Sequence, residues 1–217
     1  MTTYFAQELE TLKGKLRTMA GLAAIAVNDS IKALVARDDA LARRVEADDS
    51  QLDRLEIEVD EMAVTLLAKA PLATDLRLII VAMKASHDLE RVGDEATAIS
   101  RRALELNQEP PLKPYVDIPR MAAMALEMLR ESLDAFMQSL PAQARAVIPR
   151  DLEVDALYRQ LERELVSFIL ENPANTTRCL NLMSIAKRLE RIADHATNIA
   201  EEVVYLYEAV DIRHTDI

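Results

Sequence analysis

Apolar residues recur at every third or fourth position over long stretches of this chain, the spacing of one helical face rather than of a strand. Leu89, Val92, Ala96, Ile99 and Ala103 form one such stripe. Met121, Met124 and Met128 keep the same rhythm and read as ordinary buried core. No short alternating runs bounded by turn residues appear, so nothing predicts a sheet. The breaks between stripes are few. Asp38-Asp39 follows a first amphipathic run and can cap a second helix, which ends at Ala70-Pro71 because a residue before proline leaves the helical region. A third run spans 73–106. The segment 107–114, with Pro110, Pro111 and Pro114, is the clearest linker in the chain. Runs over 118–140, 143–171 and 174–210 follow, separated by Pro141 and by Asn172-Pro173, an N-cap with proline in the first turn.

The expected fold is therefore all-α, with six long helices in two tandem, pseudo-symmetric three-helix bundles. Residues 1–107 and 118–217 form the bundles and 108–117 the Pro-rich linker. The halves also match in detail. Met83–Ile99 reads MKASHDLERVGDEATAI and Met183–Ile199 reads MSIAKRLERIADHATNI; at an offset of 100 they agree at 8 of 17 positions, which marks a duplicated unit.

Composition supports this picture and narrows the function. Ala, Leu, Glu, Arg and Met abound while glycine numbers 3 and tryptophan 0, so helix formers dominate. With 37 acids against 26 bases the net charge is −11, a field that repels a phosphate backbone and excludes nucleic acid as a partner. The single cysteine, Cys179, forms no intramolecular disulfide and reads as a structural thiol of a reducing compartment. No contiguous apolar run approaches a bilayer span, and the first residues carry no export signal; the expectation is a cytoplasmic protein whose membrane association, if any, is peripheral.

The candidate chemistry lies in the acids. Residues four apart lie about 40° apart around a helix, so Glu90 shares a face with Asp94, and Glu190 with Asp194, away from the apolar stripe. Glu46, Asp49, Asp53, Glu56 and Asp60 share a face of the second run; in the second copy Asp151, Asp155 and Glu162 do so, with Tyr158 interrupting. If each pair of helices folds as an antiparallel hairpin about its proline, facing residues keep a constant sum of residue numbers. Asp49 then faces Asp94 and Asp53 faces Glu90; Asp151 faces Asp194 and Asp155 faces Glu190. Each copy thus gathers four carboxylates, which repel one another and raise one another's pKa unless a cation or a basic side chain intervenes. Oxygen-only sets suit magnesium, manganese or iron. The plainer reading is a solvated acidic face tied down by Arg54, Arg91, Arg191 and their neighbours. Small residues at Gly93 and Ala193 admit close approach of a backbone or an ion.

Catalysis finds little support. Ferritin-like oxidases need Glu-x-x-His on two helices, whereas Lys187 stands where the first copy has His87, so no histidine ligand repeats and His87 reads as a surface residue. His195 points away from Asp194, and no phosphate loop or nucleophile motif is present. The expectation is not an enzyme.

Asp88-Leu-Glu-Arg-Val-Gly-Asp94 and Arg188-Leu-Glu-Arg-Ile-Ala-Asp194, with Ala70-Pro71, Asp75-Leu-Arg77, Asp194-His-Ala-Thr-Asn-Ile-Ala-Glu-Glu202 and the ending Asp211-Ile-Arg-His214, resemble the PhoU family of phosphate-transport regulators over essentially the whole chain. One departure is Ala193, where the family repeats the glycine found at Gly93; it would crowd the second site. The resemblance implies a cytoplasmic, often dimeric protein of two three-helix bundles. It implies a repressor of phosphate uptake and of the phosphate-starvation response that links a phosphate ABC transporter to a sensor histidine kinase. It also implies bound metal, either multinuclear iron or zinc or else magnesium or manganese, with Glu90, Asp94, Glu190 and Asp194 among the ligands. The competing readings are a helical metal-carboxylate enzyme, hydrolase or oxidase, and a metal-free scaffold.

Overall fold

A computed structural model of the chain describes residues 2–70 and 72–212. Eight α-helices account for the described residues almost entirely, with no strand among them: α1 (Thr2–Ala36), α2 (Asp39–Asp48), α3 (Ser50–Leu67), α4 (Ala73–Leu106), α5 (Asp117–Gln138), α6 (Pro141–Val147), α7 (Asp151–Glu171) and α8 (Thr176–Glu208). The first bundle is α1, the broken helix α2/α3, and α4; the second is α5, the broken helix α6/α7, and α8.

Helix ends follow local chemistry. Arg37 closes α1 at φ 57°, and its guanidinium donates to the Asn107 and Glu109 carbonyls at 2.5 and 2.7 Å, tying this corner to the linker. Asp38 then caps α2 by accepting from the Leu41 amide at 2.9 Å. Asn172 accepts from the Ala174 amide at 3.1 Å, but what it opens is a short 3₁₀ turn, Pro173–Asn175, ahead of α8. Pro71, the expected pivot of the first hairpin, and His214 lie outside the described residues.

The second helix of each copy is not the single run expected. In the first copy the break falls at Asp49, which keeps helical dihedrals (φ −52°, ψ −43°) while its carbonyl takes the Leu52 amide in a tightened turn. In the second copy Pro149, which has no amide hydrogen to give, lies in a 3₁₀ turn over Ile148–Arg150 just before Asp151. The breaks abut Asp49 in the first copy and Asp151 in the second.

The two bundles share one continuous core. The helices α1, α4, α8 and α5 pack in a ring, α4 against α8 and α1 against α5, while α2/α3 and α6/α7 buttress the outside. The Tyr4–Ala36 helix is long and apolar enough to cross a membrane by length and composition, with mean hydropathy 1.4 over its best window. Its stripe of Leu12, Leu16, Met19, Ala23, Val27 and Leu34 is nevertheless fully buried in the bundle. Met121 and Met128 are buried as expected, and Met124 is partly so.

The α4–α8 seam is stitched by charge. Asp88 pairs with His195 at 2.8 Å, and Glu95 pairs with Arg188 at 2.9 Å and Arg191 at 3.4 Å. These are images under the duplication, residue 88 meeting 195 and residue 188 meeting 95, with the signs exchanged. His195 therefore makes its close contact across the seam, to Asp88.

Candidate metal centres

The third helix of each copy presents its carboxylates to the flank of the second helix. Leu89, Val92, Ala96 and Ile99 turn fully inward on α4, as Leu189, Ile192, Ala196 and Ile199 do on α8. That orientation carries Glu90 and Asp94, or Glu190 and Asp194, against α3 or α7. They are less outward than the pattern suggests: Glu190 is only 8% exposed, and Glu90 and Asp94 are half-buried.

In the first cluster Asp49 lies beside Asp94 and Asp53. Burial first, then the charges of Asp53 and Asp94, push its carboxyl above the usual range, against a lowering pull from Arg101. Glu90 is raised by burial and by the charges of Asp94 and Glu56. Here the hairpin expectation needs correction. Asp53, the expected partner of Glu90, is exposed and acts on Asp49; the carboxylate that reaches Glu90 from α3 is Glu56. Glu56 brings His87 with it: Nδ1 of His87 lies 3.0 Å from Glu56 Oε1, and donor atoms of Glu56, His87 and Glu90 all fall within 4.8 Å of one another. The sequence alone leaves His87 a surface residue, because the second copy lacks its counterpart. The available signal was that Glu56 and His87 keep the same constant sum as Asp49 and Asp94.

In the second cluster the charges of Asp194, Asp155 and Glu190 all act on Asp151, although among the described residues only Glu56, His87 and Glu90 bring three ligand atoms within 4.8 Å of one another. Burial, then Asp194, Asp155 and Glu190, push Asp151 up to about 6. Asp194 is raised by burial and Glu190, with Asp155 adding and Lys187 opposing. Lys187 donates to Glu190 Oε1 at 2.5 Å and its ammonium lies 5.4 Å from the centre of the Tyr158 ring.

Basic side chains tie these faces down in part: Arg159 pairs with Asp155 at 2.6 Å in the second cluster. Arg91 reaches Asp94 at 3.1 Å and Glu90 at 3.6 Å. Arg191 goes to Glu95 across the seam, and Arg54 donates to the Ser50 carbonyl. Within the two clusters Glu90 Oε2, Asp151 Oδ1 and Glu190 Oε2 are buried without a hydrogen-bond partner among the described residues, with the Arg91 guanidinium 3.6 Å from Glu90 Oε2. Thr97 sits near enough to Asp49 to favour its charged form, yet its hydroxyl, like that of Thr197, makes no hydrogen bond of normal length. Stripped, unpaired carboxylate oxygens are costly unless something positive meets them. The donor sets fit a hard or borderline cation.

Gly93 is a point of close approach, but by a side chain. A Cβ there would stand 2.4 Å from Leu52 Cδ1 and 3.4 Å from Asp49 Oδ1. The position equivalent to Leu52 in the second copy is Val154, one carbon smaller, and both Val154 and Ala193 are fully buried. The methyl of Ala193 is thus matched by a shorter neighbour, which gives a physical account of that departure without crowding of the cluster.

The PhoU domain model matches residues 16–103 and again 118–203. The phosphate-specific transport system accessory protein PhoU homolog of Pseudomonas aeruginosa is 41% identical over 212 residues, 97% of this chain and 88% of that protein. The homolog from Aquifex aeolicus is 42% identical over 97% of this chain and 96% of its own length. Among solved structures, PhoU from Pseudomonas aeruginosa superposes with a TM-score of 0.91 at 40% identity, covering 95% of this chain and all of that one. The phosphate transport system regulatory protein PhoU from Streptococcus pneumoniae does so with a TM-score of 0.89 at 25% identity, covering 98% of this chain and all of that one. Twice-repeated helices, twice-repeated acidic clusters and these matches along nearly the whole length agree: the chain belongs to the PhoU family.

Proposed function

We propose that this chain is an accessory regulator of phosphate transport that lowers phosphate uptake and represses the phosphate-starvation response. It would act in the cytoplasm, as a homodimer, as a metal-binding adaptor between a phosphate ABC transporter and a sensor histidine kinase. Family membership supports the transport-system part of this reading, since its relatives are named as accessory proteins of that system. The observation that supports the adaptor part is the pair of carboxylate clusters with buried oxygens that lack a hydrogen bond at Glu90, Asp151 and Glu190.

Asp49, Asp53, Glu90 and Asp94 would hold a cation in the first copy, and Asp151, Asp155, Glu190 and Asp194 one in the second. Magnesium, manganese, iron or zinc, singly or in a multinuclear group, supplies positive charge when bound and offers positions for an oxygen from outside. The residues do the rest. They would bring carboxylate oxygens from two adjacent helices to one ion, with the packed core behind α4 and α8 as support. An acidic face that repels an anionic partner becomes, once neutralised, one that accepts a carboxylate of a neighbouring protein or a lipid headgroup.

The test is binding of the purified protein to the transporter's ATPase subunit, to the kinase's cytoplasmic portion and to anionic vesicles. Manganese should strengthen at least one of these. Chelation, or Glu90→Ala, Asp94→Ala, Glu190→Ala and Asp194→Ala together, should abolish the gain. If both treatments leave all three interactions unchanged, the metal has no docking role.

A further inference from the structure

The two clusters differ most at one corner. In the second copy that corner already contains a cation: the Lys187 ammonium rests on Glu190 Oε1 at 2.5 Å and lies over the Tyr158 ring. The duplicated backbone puts His87 where Lys187 stands and Glu56 where Tyr158 stands. The corner that holds a built-in positive charge in one copy is, in the other, an imidazole and two carboxylates whose donor atoms converge within 4.8 Å. Glu90 Oε2 is buried there without a hydrogen bond, the Arg91 guanidinium standing 3.6 Å away. Access exists as well. Glu56 and His87 line an open cleft of about 520 Å³ between α3, α4 and α8, together with Asp60, Asp88 and Glu201.

We propose that Glu56, His87 and Glu90 form a mixed nitrogen–oxygen site for a divalent first-row transition ion, present in the first copy alone. Lys187 closes the same corner of the second copy and leaves that cluster only oxygen donors. This rests on the reading that the clusters bind cations, and it adds a selectivity. Carboxylates by themselves suit magnesium or manganese, whereas a neutral imidazole shifts preference toward iron, cobalt or zinc. Ligands at about 2.0–2.2 Å from one ion need these three side chains to close only slightly. The His87–Glu56 contact of 3.0 Å shows that both reach the same point.

Cobalt(II) is the probe, added to metal-free full-length protein in excess magnesium. The expected result is a hyperfine-shifted, exchangeable imidazole proton in the NMR spectrum, retained in His195→Gln and lost in His87→Gln. Cobalt affinity should fall roughly tenfold or more in His87→Gln and in Glu56→Gln. Tyr158→Glu combined with Lys187→His should add a second imidazole signal. His87 is mostly exposed, so its replacement leaves the fold intact by circular dichroism. A shifted imidazole signal that survives His87→Gln, or cobalt binding indifferent to that change, overturns the proposal while leaving the carboxylate clusters as cation sites. No cobalt or manganese binding above the four-alanine variant overturns both.

Discussion

The two copies of this unit share a backbone plan and differ in how they balance charge. In the first, basic side chains flank the carboxylates: Arg91 on Asp94 and Glu90, and Arg101 near Asp49 and Glu46. In the second, the position of Arg101 carries Glu201, whose charge adds to the pressure on Asp151. Lys187 offsets the opposite end. One copy is thus moderated at its base and open at its histidine corner; the other is strained at its base and closed at its lysine corner. Duplication preserved the helices that fix the carboxylates and let the neighbouring charges diverge, the pattern expected of two sites with different tasks.

The largest expected effect lies at the seam, where the copies contribute opposite signs. Glu95→Ala strips the buried partner of Arg188 and Arg191 and should cost about 2–3 kcal/mol, below the full cost of a broken buried pair because both arginines can turn to water. Its image, Asp88→Ala, leaves one histidine that can stay neutral and should cost less in the same thermal unfolding experiment.

A smaller effect of opposite sign separates the bases of the clusters. Asp151 titrates at about 6 in the folded chain against an ordinary 3.8, so its ionisation destabilises the folded state. That cost is full above about pH 6, shrinks as pH falls between these values and is absent below them. Without metal, Asp151→Asn should therefore stabilise the protein at pH 7.5 by about 1 kcal/mol after allowance for solvent screening. The gain should vanish by pH 4. Asp49→Asn should gain less, because Arg101 already offsets part of the repulsion there.

The smallest effect tests the packing difference. Gly93→Ala drives a methyl into Leu52 and should cost about 1 kcal/mol, overpacking outweighing the better helix propensity of alanine. Adding Leu52→Val imports the second copy's arrangement and should recover most of that loss.

Much of this comparison was legible in the chain itself. The α4 boundaries, the Asp38 cap and the duplication follow from periodicity and punctuation. The hairpin register expected about the two prolines places Asp151, Asp155, Glu190 and Asp194 on facing flanks of α7 and α8, where their charges act on one another. The break at Asp49 is not legible, because Asp49 keeps helical dihedrals and only its hydrogen bonding tightens, whereas the break before Asp151 is marked by Pro149. The seam pairs were hidden for another reason: which long helices meet is decided by the shared core, which no single stripe specifies. Glu56–His87 was missed because the search demanded a ligand in both copies, and the divergence of the copies defeats that demand.

The central claim is that each bundle carries its own cation site. Manganese uptake by metal-free protein, measured by equilibrium dialysis, tests it most directly when the double variants Glu90→Ala with Asp94→Ala and Glu190→Ala with Asp194→Ala are set beside the four-alanine protein. Each pair should remove its own bundle's share of bound manganese, and the four together should remove all of it. A four-alanine protein that binds as much manganese as the unaltered chain would contradict the account.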